Sequence, residues 1–194
     1  MVALAVIPGW ISGGFTFSMN ETFSPLQILS CWIFLLIAAS LEELLFRGYP
    51  LQELAASLGR LPSALIMSVP FALVHTDNPC HTLFANINTL LAGLWLCAAY
   101  FKTNNLWLAT GLHLGWNFAL ASVFGINVSG IDAFSQSSFL AAKYNGQQLL
   151  TGGCYGIEAS LPATVILGLS AATLAFPKRR PDANNSDGRA NTSS

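Results

Sequence analysis

The chain has 194 residues, 53% of them hydrophobic and 9% charged, with a formal net charge of −1. Soluble domains carry about 25% charged residues, so the composition marks a membrane protein. A near-neutral chain without a basic patch interleaved with aromatics also excludes a nucleic-acid binder.

The N-terminal run "MVALAVIPGWISGGF" has no Lys or Arg before its apolar stretch and no clear small-x-small cleavage site, which argues against a removable signal peptide. It reads as a short or partial first span within an apolar segment over residues 1–24. A bilayer asks for about 20 apolar residues per helix, and six candidate spans follow from that rule, at residues 3–18, 26–46, 61–75, 83–101, 106–124 and 158–176. The expected fold is all-α, a polytopic transmembrane helical bundle of about six spans, with its main unit over residues 25–176. Residues 125–157, rich in Gly, Ser, Asn and Gln, are expected to form an exposed outer loop, and residues 177–194 a polar tail of the composition typical of disorder. No internal repeat is visible.

Cations set the orientation, because Lys and Arg collect in short cytoplasmic loops. With six spans and the tail inside, Arg47, Arg60, Lys102, Lys178, Arg179, Arg180 and Arg189 fall on the cytoplasmic side and Lys143 alone on the outer side. The expected protein is a multi-pass integral membrane protein with a cytoplasmic C-terminus. Cys80 and Cys154 then lie outside, where a disulfide is chemically permitted; four unpaired thiols, with Cys31 and Cys97 inside spans, are the alternative.

"SLEELLFRGYP", residues 40–50, ends an uncharged run of 20 residues with two glutamates and an arginine. Glu43 and Arg47 stand four apart on one helical face and form an i, i+4 pair. Glu42 has Phe46 at its own i+4 position and so no cation within its helix. Both acids could simply mark a helix end at the water interface. Two of the three histidines, however, also sit in or beside apolar spans: Phe71 precedes His75 by one turn, and His113 precedes Asn117 by one turn. The third, His81, reads as solvated in "TDNPCH". Buried polar groups need partners, and polar groups from three membrane helices mark a functional site.

Glu-Glu-x-x-x-Arg at Glu42, Glu43 and Arg47, Phe-x-x-x-His at Phe71 and His75, and His-x-x-x-Asn at His113 and Asn117, in that order, resemble the three motifs of the CPBP intramembrane proteases. That family includes the type II CAAX prenyl endopeptidases and the bacteriocin-processing or immunity proteins. The resemblance covers roughly Pro25 to Phe124. It implies an endopeptidase acting on membrane-associated or lipidated proteins without a cofactor. Glu42 would be the general base aided by His75, His113 and Asn117 would position the water or the oxyanion, and Glu43 and Arg47 would be structural. The same side chains permit a second chemistry, in which Glu42, His75 and His113 ligate a catalytic zinc, although no H-E-x-x-H is present. A transporter and a non-catalytic immunity protein are the readings from other classes.

Straight spans create a difficulty of depth. Glu42 would lie just over one turn from the cytoplasmic end, His113 about 10 Å from it, and His75 at the far end of its helix. A shared water then requires either that residues 48–60 fold back as an amphipathic piece or that the third span be short and displaced near Pro70. We take the displaced helix as the expectation.

Overall fold

A computed structural model describes residues 1–175. Its helices are α1 (Val2–Ile11), α2 (Pro25–Arg47), α3 (Tyr49–Leu58), α4 (Arg60–Leu73), α5 (Leu83–Thr103), α6 (Leu106–Phe118), α7 (Gln148–Thr151) and α8 (Leu161–Ala175), with two strands, β1 (Phe15–Met19) and β2 (Leu140–Tyr144). The expected tail at 177–194, with its four cations, lies outside the described residues.

Local chemistry explains where the long helices begin and end. The Ser24 hydroxyl accepts the Gln27 N–H ahead of Pro25 at the first turn of α2, and the Thr82 hydroxyl does the same for Ala85 at the start of α5. Asn105 caps α6 through the Trp107 N–H, immediately after Asn104 closes α5 in the left-handed conformation at φ 51°. Each cap supplies a partner for a backbone group that the helix end leaves free.

Packing is inverted relative to a soluble protein. On α2 the large apolar side chains Leu26, Leu29, Ile33, Ile37, Leu41 and Leu44 are exposed, while Glu43 and Arg47 are completely buried. A helix that turns its hydrocarbon outward and its charges inward is built for lipid. By length and composition, two helical segments among the described residues suffice to cross a membrane: Pro25–Leu58 and Leu83–Thr103.

α5 is the central post, packed against α4, α6 and α8. Its approach to α4 depends on Gly93, where an added Cβ would lie 2.8 Å from the Cβ of Ser68. Small residues permit such close helix contacts in membranes. Gly93→Ala is expected to lower stability by about 1–3 kcal/mol through overpacking, read as a lower melting temperature in detergent.

The first predicted span, residues 3–18, is not one helix. α1 has ten residues, about 15 Å at 1.5 Å per residue, and the chain then turns at Gly13–Gly14 into β1. β1 pairs antiparallel with β2, with Phe15 opposite Tyr144 and Met19 opposite Leu140. The fold is therefore mainly helical with one β-ribbon rather than all-α. β1 lies in an apolar stretch that suits a helix or a strand equally, β2 lies in a stretch whose composition reads as loop, and the two are distant in sequence.

Residues 125–157 also depart from the expected exposed loop. They form a cap in which Ile126, Val128, Tyr155 and Ile157 are buried, the Gly130 N–H donates to the Tyr155 carbonyl at 2.8 Å, and the Asn127 side-chain amide donates to the Cys154 carbonyl at 3.0 Å. Burial and the neighbouring Glu158 carboxylate push the Tyr155 hydroxyl above its usual pKa. Cys80 and Cys154 are bridged, with Cα atoms 5.8 Å apart and a sequence separation of 74, and Cys31 and Cys97 are free thiols. A loop of that length is worth about 3–5 kcal/mol when cross-linked. Cys154→Ser is expected to lower the melting temperature under oxidising conditions, and a reductant should bring the wild type down to the same value without affecting the variant.

Candidate active site

The motif helix continues past Arg47. Helical structure runs from Pro25 to Leu58 with one interruption at Gly48, where an added Cβ would collide with the Leu44 carbonyl, so only glycine fits the bend. Arg47 is correspondingly not an interfacial cation. It is completely buried, and its Nη2 donates to the carbonyl of Gly93 at 3.1 Å, ten residues from either end of α5. The depth difficulty came from placing Arg47 at the membrane edge. It sits instead about 15 Å from both ends of the central helix, and α4, at 14 residues, is short enough to bring His75 toward that level.

A charged knot lies at this depth. Glu43 Oε1 accepts from Arg47 Nη1 at 3.1 Å and lies 2.9 Å from His113 Nδ1. The Arg47 guanidinium also stacks over the Phe71 ring, 4.2 Å from its centroid. Three predicted residues from two motifs, Glu43, Arg47 and Phe71, thereby support one another and hold His113 from α6. The expected Glu43–Arg47 pair is present, and His113 is its third member.

Hydrogen bonds determine both imidazole tautomers. Glu43, an ion-pair partner of Arg47, can only accept, so His113 donates from Nδ1 and presents Nε2 on its other side. The Phe71 carbonyl likewise only accepts, so His75 donates from Nδ1 across 2.8 Å and also keeps Nε2 available. An acceptor that holds the proton on one ring nitrogen sets the chemistry of the other. His113 Nε2 faces Glu42, 3.8 Å from Oε2. That is longer than a hydrogen bond, so the two atoms face each other without a direct bond.

Glu42 and Glu43, adjacent in sequence, have opposite surroundings. The Glu42 side chain is 34% exposed, and its Oε2 has no hydrogen-bond partner. Glu42, His75, His113 and Asn117 all line one cavity of about 500 Å³, with Phe34, Leu35, Trp95, Leu96 and Phe134 among its apolar walls. Such a cavity, mostly apolar with a few convergent polar groups, is the usual form of an active site. No three His, Cys, Asp or Glu side chains among the described residues are gathered closely enough to hold a metal ion. Glu42, His75 and His113 thus share the cavity without forming a ligand cluster.

Several lining residues escaped sequence reasoning, including Asn78, Asn88, Thr89, Ser129 and Glu158. Glu158 had a signal: it is the only acid between Asp132 and Asp182 and opens an apolar run. Trp95 and Trp116 are buried in the core, while Trp107 is 84% exposed at the start of α6.

Residues 24–119 match the family model described as type II CAAX prenyl endopeptidase Rce1-like. The matched stretch is about half of the chain and contains every motif residue, from Glu42 to Asn117; β1, the cap and α8 lie outside it. No curated protein and no solved structure matches the chain. With its motif residues inside the matched region and its helices apolar toward the outside, the chain belongs to the Rce1-like, type II CAAX prenyl endopeptidase family of membrane-embedded CPBP proteases.

Proposed function

We propose that this protein is an intramembrane endopeptidase that hydrolyses a peptide bond of a membrane-associated or lipidated protein, using a water activated by Glu42 without a metal. The observation that carries the reading is the shared cavity, in which an unpaired carboxylate oxygen and an imidazole Nε2 face each other at 3.8 Å within mostly apolar walls.

In this mechanism the water is held in the cavity at the Glu42 carboxylate, within reach of His113. Glu42 removes a proton as the water oxygen attacks the carbonyl carbon, His113 Nε2 accepts a hydrogen bond from the water and holds it in place, and the Asn117 side-chain amide donates to the oxyanion that forms. The C–N bond then breaks, and the proton held by Glu42 passes to the leaving amine. The Nε2 atom of His75 is disposed to take part in that transfer, because its Nδ1–H is committed to Phe71. Glu43 and Arg47 orient His113 and do not touch the reacting atoms.

In this reading α2 with α3, α4, α5, α6 and α8 cross the membrane with the C-terminus cytoplasmic, and α1, about 15 Å long, enters it part-way. Support comes from Arg60, which lies over the Phe101 ring at 5.7 Å and so puts the start of α4 beside the end of α5 that carries Lys102. The disulfide and Lys143 belong to the opposite end. Cleavage of a membrane-anchored peptide by the purified protein, lost in Glu42→Gln and kept in the exposed control Glu53→Ala, tests the assignment and separates an enzyme from a transporter or an immunity protein.

A further inference from the structure

The proposed reaction uses one carboxylate of the cavity and leaves another without a role. Glu158 precedes α8 on the far side of the chain from the motif helix, yet it lines the same cavity as Glu42. Its Oε1 accepts from Trp116 Nε1 at 3.1 Å. Its Oε2 accepts from the Ser129 hydroxyl at 2.9 Å and from the Ser129 backbone N–H. These donors are all neutral. Glu43 has Arg47 as a counter-ion, but among the described residues no cation lies within ion-pair distance of Glu158.

The support around Glu158 is rigid. Ser129 holds a left-handed backbone at φ 49°, a conformation that costs energy in a non-glycine residue and persists where surroundings enforce it. The next residue, Gly130, packs so tightly on Pro79 that an added Cβ would collide with the Pro79 carbonyl. Asn88, itself buried, donates to the backbone carbonyls of Glu158 at 2.8 Å and Ser160 at 3.0 Å. The carboxylate is therefore pre-positioned on the cavity wall and does not need to be ordered when a ligand arrives.

The described lining of the cavity includes two carboxylates and no Lys or Arg. Walls as apolar as these strengthen a charge–charge interaction relative to water. A cation brought by the substrate would supply the counter-charge that Glu158 lacks, and an anion would meet like charge from two sides.

We infer that Glu158 is a specificity residue, and that the cavity takes a peptide segment bearing a basic side chain whose cation lies against the Glu158 carboxylate. The inference rests on the hydrolase reading and deepens it by naming the substrate class: segments with a basic rather than an acidic side chain at the register of Glu158.

The test is equilibrium binding of membrane-anchored peptides to Glu42→Gln protein in phosphatidylcholine nanodiscs, whose lipid adds no net charge. A single Lys, norleucine or Glu is moved along the segment in matched series. At the register that reaches Glu158, the Lys peptide should bind about tenfold tighter than its norleucine partner, and the Glu peptide should bind weaker than both. Adding Glu158→Gln should shrink the Lys preference to about twofold or less. Equal binding of Lys and norleucine peptides at every position overturns the inference, as does a preference that survives Glu158→Gln. The peptide scan on protein retaining Glu158 decides the matter even if the double variant does not fold. A Lys preference without cleavage by the wild type would remove the hydrolase reading and leave this one supported.

Discussion

Glu42→Gln is expected to lower cleavage of a membrane-anchored peptide by about 10²–10⁴-fold, the usual worth of a positioned general base, while leaving the protein folded. The substitution is nearly isosteric and removes only the proton-accepting charge. Glu42 makes no ion pair within its helix, its Oε2 has no hydrogen-bond partner, and among the described residues its one partner within ion-pair distance is His113 Nε2 at 3.8 Å. Little native structure therefore depends on the carboxylate. A melting temperature close to the wild type's, measured beside the lost activity, separates chemistry from folding. The neighbouring Glu43→Gln should behave in the opposite way, with stability falling first.

Arg47→Ala is expected to destabilise the protein by about 3–5 kcal/mol, the cost of leaving half of a buried ion pair without its partner. Truncation would strand the Glu43 carboxylate, which is completely buried, remove the donor to the Gly93 carbonyl and vacate the face of Phe71 that the guanidinium covers at 4.2 Å. Since Glu43 also holds His113, activity should fall along with stability. Arg47→Lys should not restore either, because an ammonium cannot reach Glu43 and Gly93 with a planar fork while stacking on a ring. Reversible unfolding in mixed micelles, compared with the wild type, gives the magnitude.

The helices were legible in the sequence because runs of apolar residues of bilayer length have few alternatives, and the motif spacings were legible because i, i+4 residues share a face whatever the tertiary structure. Arg47 was misplaced for a physical reason. A cation at the end of an apolar run looks the same in sequence whether it reaches water or a partner inside the bundle, and only the Gly93 carbonyl on α5 distinguishes the two. The Glu43–His113 contact joins residues 70 positions apart and depends on the register of α2 against α6, which no local pattern encodes. The β-ribbon was hidden similarly, since Phe15–Met19 continues an apolar run and its partner Leu140–Tyr144 lies in a stretch whose composition reads as loop. Glu158 carried a usable signal, an isolated acid opening an apolar helix, but its direction into the cavity depends on Ser129 and Trp116, from two other parts of the chain.

The most direct test of a metal-free, carboxylate-activated hydrolysis is turnover by wild-type protein that has been stripped with a tight chelator and assayed for residual metal. The account predicts that a membrane-anchored peptide is still cut at the unstripped rate, and that added zinc brings no increase. Cleavage that disappears on stripping and returns with zinc alone would contradict it.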